Sequence, residues 1–150
     1  MGGFGRTIRW GALLLLVGCG AHRRPGQAPV GEAGSREYQS YCAGCHHLDG
    51  EGGDEAPPLA GSRWVAGPES RLIKIVLHGV RGPVEVQGKI DDREMPGFGQ
   101  VLSDADIASL LSFVRRRFGA PSEPITAETV GRVRAASPGR TDYWRVEELN

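Results

Sequence analysis

The chain has 150 residues, and its 18 lysines and arginines balance 18 aspartates and glutamates, so the formal net charge at pH 7 is zero. This balance, without a basic stripe, argues against a nucleic-acid partner. The body of the chain, residues 35–119, carries most of the periodic apolar pattern. A segment of this length is small for a purely hydrophobic core.

The N-terminal residues have the features of an export signal. Arg6 and Arg9 precede a short apolar stretch, residues 11–18. This stretch is shorter than the about 20 apolar residues that a membrane-spanning helix needs. We therefore predict that residues 1–18 are a signal peptide that is removed from the mature protein.

Cys19 follows this stretch, and the run Leu16-Val17-Gly18-Cys19 resembles the lipobox of bacterial lipoproteins. The resemblance implies cleavage before Cys19 and a lipid anchor on that cysteine. An ordinary cleaved signal peptide followed by a stray thiol is the alternative. Residues 19–34 are rich in Gly, Pro and Ala, and we predict that they form a flexible tether behind the lipidated cysteine.

The five residues Cys42-Ala43-Gly44-Cys45-His46 form a C-x-x-C-H motif, which is the covalent attachment signal for c-type haem. Each cysteine thiol can add to one vinyl group of the haem, and His46 then places an imidazole nitrogen under the iron. Separations of three and four residues put Cys42, Cys45 and His46 on one face of a helical turn. We predict one haem c, held covalently through Cys42 and Cys45, with His46 as an axial ligand.

Other uses of this cysteine pair are less well supported by the sequence. A thioredoxin-like site would need a βαβ setting, which the surrounding pattern does not indicate. A zinc site would need a second pair of ligands, and a structural disulfide across so tight a turn is uncommon.

The elements around the motif follow in chain order. A first helix is predicted over residues 35–45, where it delivers the cysteines, and the Gly- and Pro-rich residues 50–58 are predicted to form a loop. Residues 68–77 have the apolar spacing of a second helix. Residues 84–90 alternate around Gln87-Gly88, which predicts a short hairpin or an extended loop.

Met95 is the only methionine besides the initiator, and we predict that it is the second axial ligand of the iron. It lies far enough downstream for the chain to wrap around a haem, and Pro96 biases it towards an extended conformation. Ligation by a thioether raises the reduction potential, and an iron bound on both faces excludes small ligands. The alternative is that Met95 fills a gap in an apolar core.

The last helix of the body has the strongest local signals. Ser103 precedes it, with Asp106 three residues on as in a capping box, and the apolar positions that follow recur at helical spacing. Residues 115–117 are three arginines in its final turns, which favours a dipole or solubility role over a docking patch. Gly119 marks its end.

Residues 120–150 form a C-terminal extension beyond the body. They are mostly polar but end in an apolar cluster of Tyr143, Trp144, Val146 and Leu149. Buried aromatic anchors are common both in cores and in interfaces. The extension is therefore expected either to pack back on the body, which we favour slightly, or to engage a partner.

The C-x-x-C-H motif, the run Met95-Pro96-Gly97-Phe98 and the capped last helix together resemble a small single-haem class I cytochrome c. More narrowly, residues 57–64 and Leu77-His78-Gly79 are similar to cytochrome domains found with membrane-bound dehydrogenases and haem–copper oxidases. The resemblance implies an all-α cytochrome c fold of three to four short helices wrapped around one covalently bound haem, with a short hairpin or extended loop.

The resemblance also implies roles for residues outside the motif. The carbonyl of Pro57 is expected to accept the imidazole N–H of His46, which fixes the tautomer of the ligand. Trp64 and Arg71 are candidates for holding the haem propionates, and ordinary packing or surface roles are an equal alternative. His47, beside the ligand, is interpreted as a surface residue.

The function that the resemblance implies is electron transfer, not catalysis. The protein would pass one electron from a dehydrogenase or quinol-oxidising complex to an oxidase, a reductase or another cytochrome. It would work at the periplasmic face of a bacterial membrane, attached through the lipid on Cys19. The alternatives are a dedicated haem subunit of a larger redox complex, or a ligand-binding or peroxidase-like haem protein in which Met95 is displaced.

Overall fold

The computed structural model describes residues 1–2 and 32–149. Most of the predicted signal peptide, Cys19 and nearly all of the tether lie outside these residues, so those assignments stay predictions from the sequence. In the part of the chain that the structure describes, no helix is long and apolar enough to cross a membrane.

Six α-helices and one 3-10 helix lie between residues 32 and 149. The helices of the body are α1 (Ser35–Tyr41), α2 (Ala43–His46), α3 (Arg63–Ala66), α4 (Glu69–His78) and α5 (Asp104–Phe118). The C-terminal extension adds α6 (Ala127–Ala135) and the 3-10 helix (Val146–Leu149).

Two small sheets accompany the helices, so the described chain is mainly helical but not the all-α protein that we predicted. Their strands are β1 (Gly79–Arg81), β2 (Val84–Val86), β3 (Lys89–Asp91), β4 (Met95–Pro96) and β5 (Trp144–Arg145). In the first sheet β1 is central, antiparallel to β4 and parallel to β5.

The second sheet is a hairpin of β2 and β3, the first of the two alternatives, a short hairpin or an extended loop, predicted over residues 84–90. Its turn residues, Gln87 and Gly88, have φ angles of 52° and 76°. Positive φ at both central residues is the geometry of a two-residue hairpin turn that matches the twist of the strands.

Helix α1 crosses α5 at very close range. Gly34, just before α1, has φ 84°, and a Cβ there would lie 2.0 Å from the carbonyl oxygen of Ser109. The buried ring of Tyr38 then packs between Phe113 and Phe118, with ring centroids 5.5 and 5.2 Å away. These contacts fix the helix whose C-terminal end leads into Cys42.

Two helix boundaries differ from the sequence prediction. The helix predicted over residues 35–45 is interrupted at Cys42, where φ is −120°. Helix α4 begins at Glu69 instead of Pro68, because Pro68 has an extended ψ of 130° and acts as the N-cap. Helix α3 was not predicted from the sequence.

Helix α5 begins as predicted. The hydroxyl of Ser103 accepts a hydrogen bond from the backbone N–H of Asp106 at 3.2 Å, and the Asp106 carboxylate accepts one from the backbone N–H of Ser103 at 3.1 Å. This reciprocal pair is a capping box, in which two otherwise unpaired backbone donors are satisfied. Helix α5 ends at Phe118, before Gly119.

The C-terminal extension packs on the body. Ile125, Val130 and Leu149 are 5%, 0% and 6% exposed. The hydroxyl of Ser112 on α5 accepts a hydrogen bond from the backbone N–H of Ile125 at 2.8 Å. The extension therefore contributes to the core of the protein.

Candidate haem-binding site

The C-x-x-C-H motif forms a single helical turn. The backbone N–H groups of Cys45 and His46 both donate to the carbonyl oxygen of Cys42, at 3.2 and 2.9 Å. Cys42 is half-buried, Cys45 is exposed, and His46 is only 8% exposed. All three side chains line one cavity, so the turn presents two thiols and an imidazole to the same space.

His46 is oriented by a backbone contact. Its Nδ1 lies 3.0 Å from the carbonyl oxygen of Pro57, the contact that the resemblance implies. Because a carbonyl can only accept, Nδ1 carries the proton, and Nε2 of the neutral ring remains a potential metal ligand. Burial lowers the pKa of His46 against the opposing effect of this hydrogen bond, which favours the neutral ring.

The cavity beside this turn is mainly apolar. Its volume is about 150 Å³. Besides the motif and Pro57, its lining includes Met95, Trp64 and aliphatic side chains from three helices and two strands. These are Val65, Leu72, Ile75, Val76, Val80, Val84, Val86, Leu110, Leu111 and Val114.

Met95 reaches the cavity from a different part of the chain. It lies on β4, where it pairs with Val80 of β1. The residues after it are held on α4, because the N–H groups of Phe98 and Gly99 donate to the carbonyls of Val76 and Leu77 at 2.8 and 3.0 Å. The fold thus brings the predicted second ligand to the cavity that the motif lines.

The two predicted propionate residues occupy different positions. The ring of Trp64 lines the cavity, but its indole N–H donates to the carbonyl of Glu85 at 2.9 Å. Arg71 does not line the cavity; its guanidinium stacks 4.5 Å from the centroid of the Trp64 ring and donates to the carbonyl of Arg63 at 3.0 Å. Arg71 therefore contacts the site only through Trp64.

Arg93 is a cavity residue that the sequence pattern did not predict. It is exposed and lines the mouth of the cavity with Asp91, forms an ion pair with that carboxylate, and donates to the carbonyls of Gly53 and Asp54. Hydrogen bonds from Arg93 hold the pKa of Asp91 below its ordinary value. The only sequence signal is a cation two residues before Met95, within a run of charged residues.

His47 is exposed, as interpreted from the sequence. Its backbone has φ 60°, and its carbonyl accepts the hydroxyl proton of Tyr38 at 2.5 Å. Between residues 32 and 149, no three His, Cys, Asp or Glu side chains converge as metal ligands.

A C-x-x-C-H turn beside an apolar cavity that a methionine also lines is the arrangement of a c-type cytochrome. The model of the family described as "Cytochrome C oxidase, cbb3-type, subunit III" matches residues 29–114. The match covers more than half of the chain, and the chain belongs to this family. Haem c is accordingly its cofactor, and electron transfer is its function.

Individual relatives agree with this assignment. Cytochrome c-552 of Thermus thermophilus is 34% identical over an alignment of 120 residues that covers 73% of this chain and 80% of the relative. The cytochrome c subunit of alcohol dehydrogenase (quinone) from Gluconobacter oxydans is 33% identical over 77% of this chain but 25% of its own. The cbb3-type oxidase subunit FixP of Sinorhizobium medicae is 30% identical over 64% of this chain and 33% of its own.

Proposed function

We propose that the chain binds one haem c through thioether bonds from Cys42 and Cys45, with His46 and Met95 as its two axial ligands. The observation that carries this proposal is that all four side chains line the same apolar cavity. They come from two segments far apart in the sequence, and the donor set of one imidazole and one thioether suits haem iron in an electron carrier.

The residues around the cavity support the same assignment. The carbonyl of Pro57 orients the imidazole of His46, and such a hydrogen bond raises the basicity of a ligand. Aliphatic side chains exclude water from the cavity, which sets the local dielectric and hence the potential of a bound redox group. Arg93 supplies a cation at the mouth, where the carboxylates of a haem could pair with it. We propose Arg93 for this role ahead of Arg71.

We further propose that the protein is a one-electron carrier between a dehydrogenase or quinol-oxidising complex and an oxidase, reductase or other cytochrome. The haem supplies the one-electron redox chemistry, and the protein supplies binding, orientation and tuning of the potential. No side chain is needed as an acid, base or nucleophile. The match to 80% of a single cytochrome c-552 favours a separate carrier over a dedicated subunit.

The cellular location is proposed from the sequence. Residues 1–18 would direct export, Cys19 would carry the lipid, residues 19–34 would form the tether, and residues 35–119 would form the haem domain at the periplasmic face of a membrane. Mass spectrometry of the mature N-terminus, in the wild type and in Cys19→Ala, tests this arrangement.

The axial ligation is tested by the absorption spectrum of the ferric holoprotein, made in cells that attach c-type haem. We expect a weak near-red band from thioether-to-iron ligation in the wild type and in the neighbouring control variant Glu94→Gln. The band should be lost in Met95→Ala. A high-spin wild-type spectrum without the band would contradict the proposal and direct attention to ligand binding or peroxidase-like chemistry.

A further inference from the structure

The C-terminal extension returns to the segment that carries Met95. Arg134 of α6 donates to the carbonyl of Gly99 at 2.6 Å and to that of Leu102 at 3.2 Å. Its third nitrogen pairs with the carboxylate of Asp104 at 2.7 Å. One guanidinium thus holds both ends of the turn that follows Met95 and ties it to the start of α5.

The extension also reaches Met95 through the first sheet. Val80 of β1 pairs with Met95 on one side and with Trp144 of β5 on the other. Residues in register across neighbouring strands project to the same face of a sheet. Met95 and Trp144 accordingly pack in one apolar cluster with Val80 and the buried Leu149.

Gly79 shows how closely these segments meet. A Cβ at this residue would lie 2.3 Å from the carbonyl oxygen of Met95 and 2.5 Å from the ring of Tyr143. The backbone of Gly79 on β1 therefore lies close to both the backbone of Met95 and an aromatic ring of the extension.

The Met95 segment, residues 95–102, is anchored on the body by the buried Leu102 and by the ring of Phe98, which packs on Tyr41, but it has little regular structure of its own. Strand β4 is two residues long, and Pro96, Gly97, Gln100 and Val101 are all exposed. Two of its backbone N–H groups donate to carbonyls of α4. Its own carbonyls at Gly99 and Leu102 accept hydrogen bonds from Arg134. The family match ends at residue 114, so these contacts come from a part of the chain outside the matched domain.

We propose that the C-terminal extension is a positioning device for the distal ligand, with Arg134 and Trp144 as its positioning residues. This inference rests on the proposed ligation by Met95. Because the segment that carries Met95 is tied to α6 and β5, the thioether stays at the cavity and resists displacement. When the contacts of Arg134 or of Trp144 are lost, other ligands can compete with the Met95 thioether for the iron.

The experiment measures how readily Met95 is displaced. Ferric holoprotein is titrated with imidazole, and the near-red band and the dissociation constant are recorded for the wild type, Arg134→Gln and Arg132→Gln. Arg132 is the matched control, because it lies on the same helix and, among the described residues, its guanidinium pairs with two side chains of α6 itself, Glu128 and Thr129. We expect Arg134→Gln to bind imidazole more tightly on the order of tenfold, a usual size for coupling between sites.

The control variant should bind imidazole like the wild type, and Arg134→Lys should fall between the two. Phe113→Leu, a core change away from the cavity, tests whether a general loss of stability is enough to weaken ligation by Met95. We expect it to lower the melting temperature and to leave imidazole binding unchanged. Equal imidazole affinity in Arg134→Gln and wild type, or equal tightening in Phe113→Leu, would overturn the inference. A wild type without the near-red band would instead overturn the proposed Met95 ligation, and the inference with it.

Discussion

Arg93 shows what one side chain at the mouth of the cavity is expected to do. Ferric haem carries one more positive charge than ferrous haem, so a nearby cation favours the reduced state. In Arg93→Gln the cation is removed and Asp91 is left without its partner, and both changes favour the ferric state. We expect the reduction potential to fall by some tens of millivolts, which corresponds to about 1 kcal/mol of Coulomb energy near a surface.

Potentiometric titration of the two holoproteins measures this change. Arg36→Gln is the matched control, because Arg36 is an exposed arginine of α1 that does not line the cavity. A rise in potential in Arg93→Gln, or an equal fall in the control, would contradict the role given to Arg93.

His78 is expected to make stability depend on pH. Burial lowers its pKa, aided by the charges of Arg140 and Arg134, and its Nε2 lies 2.9 Å from the hydroxyl of Ser137 on the extension. A lowered pKa means that the unfolded chain binds the proton first as the pH falls. The stability from neutral His78 is therefore fully present above about pH 6.5 and is lost as the pH falls towards the folded-state pKa.

Denaturant unfolding of the holoprotein at pH values between about 5 and 8 checks this prediction. The difference in unfolding free energy between wild type and His78→Gln should shrink as the pH falls. A difference that is constant over this range would show that His78 does not titrate differently in the two states.

At the scale of residues, a short motif allowed individual side chains of the candidate site to be named from the sequence. Cys42, Cys45 and His46 are adjacent in the chain, so their common face follows from helical spacing. The sequence could not show whether Arg71 or Arg93 lines the cavity, because a charge pattern does not tell which arginine the fold turns towards it.

Helix α5 is the element whose start depends most clearly on one residue. Ser103→Ala removes the hydroxyl of the capping box, and the loss of such a cap costs about 1 kcal/mol. We expect the unfolding free energy to fall by about this amount while the haem spectrum is unchanged. Chemical denaturation measures it, with Ser40→Ala on the exposed side of α1 as the control.

An unchanged stability in Ser103→Ala would show that the start of α5 is fixed by tertiary contacts alone. Such tertiary contacts exist, because α5 packs against α1, α3, α4 and α6.

At the scale of elements, local signals predicted α5 and the hairpin, because caps and turn residues act within a few positions. The first sheet could not be predicted, since β4 and β5 are two residues long and too short to show alternation. Its strands are far apart in the chain, and their pairing depends on the packing of α4 and α6. The break at Cys42 was also missed, because no proline or glycine marks it.

For the whole molecule, the main prediction concerns deletion of residues 121–150. Ile125, Val130 and Leu149 are buried, and each fully buried aliphatic side chain contributes about 1.5–3 kcal/mol. The shortened holoprotein should lose several kcal/mol of stability, with a much lower melting temperature. A thermal melt measures this, and an unchanged melting temperature would show that the extension packs without stabilising the body.

The order of strands in the first sheet has a consequence for biogenesis. Strands β1 and β4 are separated only by residues 82–94, which contain the β2–β3 hairpin, whereas β5 lies far downstream of β1. Closing the longer loop costs more entropy and slows pairing. The antiparallel pair of β1 and β4 can therefore form before β5 docks on β1. A newly made chain would pass through an open stage in which the cavity is accessible to the haem, and docking of β5 would complete folding.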